Sequence, residues 1–305
     1  MRVAVLAGGR SLERAVSQRS GARVELALTR LGHEPVPLDA DGGLGAALAA
    51  GGLDCAFVAL HGRGGEDGTV QELLELAGIP YTGARPDACA RASDKIAAKR
   101  ILAAAGLPTP PFAAVASSAV RDLGADALLE RVAERVGMPI VVKPARGGSS
   151  LGLRQVADAE ALPEALLSAL AYDDRVLCER FVEGREVTVT VLRGTALPPV
   201  EAIPLDHDHG YDFEARYTPG ATEFVVPADV GPEAAEVAAA ACAALGCSAF
   251  ARVDLLVPDE GRPWILEVNV VPGLTETSTA PLAAQAAGMT FEELVAALLE
   301  DALAA

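Results

Sequence analysis

The sequence predicts an α/β protein whose N-terminal part is an open parallel sheet. Three observations carry this. Residues 3–7 (VAVLA) and 55–60 (CAFVAL) are short unbroken apolar runs, as strands buried on both faces require. Ala/Gly-rich stretches of helical character lie between such runs. Towards the C-terminus the pattern changes, and 251–257 (ARVDLLV) and 264–270 (WILEVNV), joined by Pro258-Asp259-Glu260-Gly261, read as a hairpin.

The chain of 305 residues, 51% hydrophobic with 30 Gly and 20 Pro, is long enough for two or three domains around a sizeable core. A net charge of −17 argues against nucleic acid and anionic membrane as main partners. It does not exclude a nucleotide, provided the few cations are concentrated locally. Cys55, Cys89, Cys178, Cys242 and Cys247 are scattered, with no CxxC spacing, and read as structural thiols in a reducing cytosol. The first apolar run is too short for a signal peptide. The longest, 237–251, is broken by Gly246 and Ser248 and falls short of the ~20 residues of a membrane span. A cytoplasmic protein is expected.

Strand 3–7 runs into Gly8-Gly9-Arg10-Ser11 and a helix from Leu12, a strand–glycine–helix junction able to receive an anion. Glu13 falls in that helix's first turn, where capping is the plain reading. Residues 35–38 and 55–60 are further strands. The second ends at His61 before a Gly-rich loop and a helix from Thr69, where open α/β sheets place ligands; His61 reads equally as structural. Asp94 opens a helix to Ala105, ahead of the Pro-rich 107–112 segment. Lys95 in its first turn is electrostatically misplaced unless phosphate oxygens arrive there, a solvent-facing Lys being the alternative.

Residues 140–142 form a strand ended by Lys143, and 144–152 form a Gly/Ser loop. Backbone N–H groups in such a loop cradle phosphates, with the Lys supplying charge, although the order is not that of a Walker loop. Residues 176–181 and 186–191 are strands on which Glu179, Val182 and Glu186 offer acceptors and an apolar wall, or merely ordinary strand carboxylates. Residues 206–219 (DHDHGYDFEARYTP) read as a mobile loop holding Tyr211, Arg216 and Tyr217, its His207-x-His209 being weak evidence of metal. Helices 232–245 and 291–303 complete the chain.

On the hairpin, alternation puts Arg252 with Asp254 and Glu267 with Asn269. If Val257 faces Arg262, both pairs share one face, offering a hard cation such as Mg²⁺ three oxygen donors.

Seven segments, GGRSLERAVS, LHGRGGEDGTVQ, SDKIAAKR, VVKPARGGSSLG, YDFEARYTPG, ARVDLL and LEVNVVPGLT, resemble in order and spacing the D-alanine–D-alanine ligases of the ATP-grasp superfamily. The likeness spans nearly the whole chain. It implies an α/β (α+β), three-domain ATP-grasp fold: an N-terminal open parallel-sheet domain over 1–92, a central domain with the phosphate loop over 93–177, and a metal- and substrate-bearing domain over 178–305.

The implied reaction joins two D-alanines through an acyl phosphate made from ATP, for peptidoglycan precursors. By the same resemblance Lys95, Lys143, Ser149, Ser150 and Arg216 contact the phosphates, and Glu179, Val182 and Glu186 hold adenine and ribose. Asp254, Glu267 and Asn269 ligate a pair of Mg²⁺ ions, Mn²⁺ being a substitute. Arg252 and the Gly273 backbone stabilise the acyl phosphate and oxyanion. Glu13 holds the ammonium of the first D-alanine and His61 lies near its carboxylate; Ser278 holds the second carboxylate. Glu13, Ser149 and Tyr217 lock the mobile loop, and Tyr217 favours a dipeptide over an ester. A homodimer is implied as well.

Departures from the family pattern are Arg216 for Lys, Val270-Val271 for Thr-x, and Ala15 for Glu. Two other readings remain: an ATP-grasp ligase joining D-Ala to D-Ser, D-lactate or an L-amino acid, and a nucleotide-binding regulator without catalysis. The regulator predicts a broken metal or oxyanion set, yet Arg252, Asp254, Glu267 and Asn269 are all present.

Overall fold

Strand β1 (Arg2–Ala7) is buried from Val3 to Leu6, and parallel partners flank it on both sides. They are β2 (Glu34–Asp39) and β3 (Cys55–Val58), giving the order β2-β1-β3. The computed structural model describes residues 1–124, 127, 129–148, 150–205, 218 and 220–304. Between β1 and β2 runs α1 (Arg14–Arg30), which buries Val24, Ala27 and Leu28 against Val3, Val5 and Phe57. α1 begins later than expected, because Leu12 and Glu13 precede it; Glu13 is its N-cap residue but makes no side-chain cap bond. The capping reading of Glu13 therefore gives way to another use of its carboxylate.

Helices α2 (Leu44–Ala49), α3 (Thr69–Ala77) and α4 (Pro86–Ser93) bury Leu44, Leu48, Val70, Leu74, Ala88 and Cys89 in one cluster with Ala4, Leu6, Ala56 and Val58. Next is α5 (Lys95–Ala104), capped by Asp94, whose carboxylate accepts from the amides of Ile96 and Ala97 at 3.0 Å.

The middle of the chain forms an antiparallel sheet in the order β4-β7-β5-β6. Its strands are β4 (Phe112–Ala116), β5 (Ile140–Pro144), β6 (Arg154–Val156) and β7 (Arg175–Arg180). It packs on α7 (Leu129–Val136) and α8 (Leu162–Leu170), with α6 (Ser117–Leu123) beside β4. Lys143 does not end its strand, since β5 continues through Pro144 opposite Val176. The expected boundary after residue 177 falls inside β7. Cys178 and Glu179 pair with both β4 and β5, so cutting there would split the sheet.

A six-stranded antiparallel sheet follows, in the order β11-β10-β8-β12-β13, with the short β9 on β8. These are β8 (Arg185–Leu192), β9 (Thr195–Ala196), β10 (Val200–Pro204), β11 (Thr222–Val225), β12 (Phe250–Val257) and β13 (Trp264–Asn269). Helix α9 (Glu233–Leu245) buries Ala234, Ala238, Ala241 and Leu245 against Val187, Val189, Val253 and Leu255. That cluster is continuous with the one beneath the first sheet. Helices α10 (Thr279–Ala286) and α11 (Phe291–Ala304) return the chain to the N-terminal sheet, burying Leu294 and Leu298 with Phe57 and Leu28.

The hairpin register differs from the expected one. Leu255 faces Ile265 and Leu256 faces Trp264, so the turn closes one residue later than a Val257–Arg262 pairing would require. Left there, Asp254 would share a face with Leu266. A bulge after Asp254 leaves Leu266 as the extra residue and restores the intended face, with Asp254 opposite Glu267 and Arg252 opposite Asn269.

The glycine loop after β3 is set by close backbone approach. A Cβ at Gly65 would lie 1.9 Å from the Leu60 carbonyl oxygen. Gly65→Ala is therefore expected to force the loop outward and lower the unfolding free energy by about 2–3 kcal/mol, measured by urea denaturation.

Candidate active site

The hairpin presents its polar face to a cleft between the sheets. Arg252 makes a bidentate pair with Asp254, Nε to Oδ1 at 2.6 Å and Nη2 to Oδ2 at 2.9 Å. Across the ladder Glu267 lies 3.3 Å from Lys95 Nζ, and Asn269 Oδ1 accepts the Val271 amide at 2.9 Å. Among the described residues no three His, Cys, Asp or Glu side chains form a metal-holding group, and the hairpin's own oxygen donors on this face are two carboxylates and one amide oxygen. That set fits Mg²⁺, which keeps water and takes phosphate oxygens, and not a nitrogen- and sulfur-built site. The Val270 side chain is 2% exposed and packs in the central apolar cluster, where a valine needs no hydrogen-bond partner.

Above this face lies the glycine loop that follows β5. Lys95 Nζ donates to the Gly147 carbonyl at 2.5 Å, which ties α5 to the loop as well as to Glu267. Lys95 is thus no solvent-facing lysine. Ser150 adopts a left-handed φ of 58°, rare for a side-chain-bearing residue, and turns the loop back over a cavity lined by Lys95, Lys143, Glu186, Asp254 and Glu267. Behind the cavity, Glu179 is held between two ammonium groups. Lys99 Nζ approaches its Oε2 at 2.7 Å, and Lys143 Nζ pairs with its Oε1. Burial alone would raise the Glu179 carboxyl, but the charges of Lys143 and Lys99 hold it below the ordinary carboxylate range. Lys99, 1% exposed, also donates to Thr109 Oγ1 at 2.6 Å, and burial draws its ammonium down to about 8. Glu186 thus reaches the cavity, whereas Glu179 and Val182 are not among the residues lining it.

The same face opens on its other side into a larger cleft of about 1390 Å³, lined among others by Glu13, His61, Glu66, Arg252, Gly273 and Ser278. Glu13 reaches between two glycine loops: a Cβ at Gly62 would lie 2.5 Å from its Oε2, and one at Gly148 2.9 Å from its Oε1. Burial and the charge of Glu13 push the Glu66 carboxyl up to about 8.

His61 lines the cleft with both ring nitrogens engaged. Its Nδ1 is 3.0 Å from the Val271 carbonyl oxygen, which can only accept, so Nδ1 carries the proton. Nε2 therefore accepts from the Ser20 hydroxyl at 2.8 Å, and Ser20 Oγ in turn accepts the Leu274 amide at 3.2 Å. Desolvation lowers the imidazole to about 4, with the Arg252 charge acting in the same direction. Ser278 Oγ lies 2.8 Å from Thr275 Oγ1 and accepts the Thr275 amide at 3.1 Å.

The structure thus gathers Glu13, His61, Lys95, Arg252, Glu267, Asn269, Gly273 and Ser278 around one cleft, with Lys143, Ser150, Glu186 and Asp254 in the adjoining cavity. Ser149, Arg216, Tyr217, and with them Tyr211, His207 and His209, lie outside the described residues. Lys99, Glu66, Ser20 and Arg23 escaped the sequence reading. Lys99 stands one helical turn after Lys95, a spacing that could have drawn attention to it.

A lysine-flanked glycine loop over a carboxylate-bearing hairpin is the chemistry of a phosphate-handling cleft. The family model "D-ala D-ala ligase C-terminus" matches residues 101–300, and "D-ala D-ala ligase N-terminus" matches residues 40–84. A D-alanine–D-alanine ligase of Stutzerimonas stutzeri is 44% identical over 308 residues, covering 100% of this chain and 95% of the relative. One of Gloeobacter violaceus is 43% identical, covering 99% and 100%. The crystal structure of the D-alanine–D-alanine ligase from Bacillus anthracis in complex with ATP superposes with a TM-score of 0.84 at 33% identity, covering 100% and 98%. VanG D-Ala:D-Ser ligase from Enterococcus faecalis gives 0.83 at 26% identity, covering 99% of each. The chain belongs to the D-alanine–D-alanine ligase family.

His61 yields a pH prediction. Its pKa is lowered on folding from about 6.5 to about 4, so between these values the unfolded chain binds more protons. The stability that follows from a neutral His61 is complete above the unfolded pKa and is lost as pH falls towards 4, by about 3 kcal/mol in all. His61→Gln should flatten this limb in denaturation curves taken from pH 7 to pH 4.

Proposed function

We propose that this chain is an ATP-dependent carboxylate–amine ligase that joins two D-alanines, forming D-alanyl-D-alanine, ADP and phosphate, for peptidoglycan precursor synthesis. The observation that carries the reading is the shared polar face of the hairpin. Asp254 and Glu267 stand opposite each other, with Arg252 beside them and Lys95 above, where the nucleotide cavity meets the larger cleft. The family models, the full-length relatives and the ATP complex of the Bacillus anthracis ligase support it.

On this reading Lys95, Lys143, Ser149, Ser150 and Arg216 bind the triphosphate, and Glu186, with Val182 and Glu179 behind it, serves the nucleoside. Glu179 acts by fixing Lys143. Asp254, Glu267 and Asn269 would hold Mg²⁺, which neutralises phosphate charge when bound. Glu13 binds the ammonium of the first D-alanine and so directs its carboxylate to the γ-phosphate. That carboxylate oxygen takes the phosphoryl group, and ADP leaves. The amine of the second D-alanine then attacks the acyl carbon, and Arg252 with the Gly273 amide receives the oxyanion before phosphate departs. Ser278 binds the second carboxylate. His61, its ring committed to Ser20 and Val271, positions the adjoining loops rather than touching substrate. Tyr217 and Ser149 join Glu13 in locking the loop. No protein nucleophile takes part; positioning and electrostatics supply the rate.

We further propose three units, 1–92, 93–180 and 181–305, the second ending with β7. A cytoplasmic homodimer completes the reading; among the described residues no single helix is long and apolar enough to cross a membrane.

The test is ADP and phosphate release with Mg²⁺-ATP, with D-Ala alone and then with D-Ser, D-lactate or L-Ala added, products identified by mass. D-Ala alone is expected to give the D-Ala dipeptide; turnover only with a mixed pair would reassign the second substrate, and none with any pair would reject the ligase. Asp254→Ala and Glu267→Ala should each reduce turnover by at least about 10³-fold with the circular dichroism spectrum unchanged. Near-normal rates would remove these carboxylates from the mechanism.

A further inference from the structure

The segment from Val270 to Ser278, between β13 and α10, has no ladder of its own, yet side chains from outside hold its backbone at Val271, Leu274 and Thr275. Arg23, on α1, donates from Nη1 to the carbonyls of both Leu274 and Thr275 at 2.9 Å. Ser20, one turn earlier on the same helix, accepts the Leu274 amide at 3.2 Å, so α1 holds both backbone polar groups of Leu274. His61 donates to the Val271 carbonyl, which sets its tautomer, and accepts from Ser20. The Arg23 guanidinium is seated on Phe291 of α11, its carbon 4.0 Å from the ring centroid. Leu274 and Thr275 are buried, so these two carbonyls have little recourse to water. Between the held groups lies Gly273, whose amide is bonded to no described residue and which lines the large cleft. A Cβ on Gly273 would lie 2.7 Å from Ser278 Oγ, so the two residues form one compact seat.

Helix α1 therefore carries a residue of the cleft at its start and grips the far loop two and three turns later. From this we propose that Arg23 and Ser20 are positioning residues for the second-substrate subsite: they fix the Gly273 amide and Ser278 relative to Glu13. The inference rests on the reading above that Gly273 and Ser278 receive the second D-alanine. Arg23 touches no reacting atom. Its effect passes through the Leu274 and Thr275 carbonyls, and a shift of about 1 Å in such a seat is enough to cost about a hundredfold in rate.

The experiment compares Arg23→Leu, Arg23→Lys, Ser20→Ala and Ser278→Ala in the full-length enzyme. Initial rates are taken over a D-Ala range wide enough to resolve the two KM values, with the KM for ATP measured in parallel. Arg23→Leu and Ser20→Ala are expected to raise the KM of the second D-Ala about tenfold or more, leaving those for the first D-Ala and ATP within about twofold. Arg23→Lys, which can still donate to the two carbonyls, should recover most of the loss. A merely structural clamp would lower the melting temperature and move all three constants together, or none, and either result overturns the proposal. If Ser278→Ala raises the second KM while Arg23→Leu and Ser20→Ala do not, the positioning role alone fails. If none of the variants moves it, the seat is not the second-substrate subsite, and the reading falls with the proposal. Should Arg23→Leu fail to fold, Ser20→Ala and Arg23→Lys decide the matter by the same constants.

Discussion

Everything in the cleft depends on how β12 meets β13. Strand side chains alternate strictly, so a register shift of one residue sends every side chain to the opposite face. With the turn closing as it does, an unbroken ladder would put Asp254 with Leu266, and Glu267 would face the wrong way. The extra residue at Leu266 removes that conflict, bringing Asp254 opposite Glu267 and Arg252 opposite Asn269. β12 has little room to adjust, since it is paired along its whole length with β8, from Phe250 opposite Leu192 to Val257 opposite Arg185. β13 has β12 as its only sheet neighbour among the described strands, and the irregularity is absorbed there.

The second constraint is electrostatic. A chain of net charge −17 can hold phosphate only where its cations are gathered, and here they are gathered by carboxylates. Lys99 and Lys143 share Glu179, Lys95 approaches Glu267, and Arg252 clasps Asp254. Burying charge is costly unless each group is paired and hydrogen-bonded, and Lys99 meets that condition with Glu179 and Thr109. The pairing also has a geometric result. Glu179 on β7 links a lysine of α5 to one of β5, so these ammonium groups are fixed to the middle sheet rather than carried on free side chains.

Much of this was legible in the sequence because it rests on local pattern. The parallel strands show as apolar runs, Asp94 as the start of a helix, and the polar face of the hairpin as strict alternation. The bulge was not legible, because turn residues 258–261 permit more than one closure and the ladder decides between them. VLCERF reads as a strand without saying which sheet takes it. Ile140 opposite Arg180 and Val142 opposite Cys178 settle the matter through pairing that is distant in sequence. His61 shows the same limit. Its place at a strand end left ligand and structural roles equally open, and the partners of its ring nitrogens, Ser20 and Val271, are remote in the chain. Lys99 looked like any lysine on a helix until the fold buried it against Glu179.

The positions of Glu13 and Gly273 bring these threads together. One residue comes from the end of the first βα junction and the other from the loop after the last strand, more than half the chain apart. On the proposed reading a two-substrate condensation needs such groups at a fixed separation, since a drift of about 1 Å in either seat costs about a hundredfold in rate. Loops cannot give that separation by themselves, for neither has a ladder. Helix α1 can, being a rigid rod that begins beside Glu13 and meets the Leu274 backbone through Ser20 and Arg23. It is held in turn by Val24, Ala27 and Leu28 in the core and by α11 behind it. On the proposed reading the N-terminal unit is a caliper as well as a wall of the cleft, and α11, the last described helix, packs against the first.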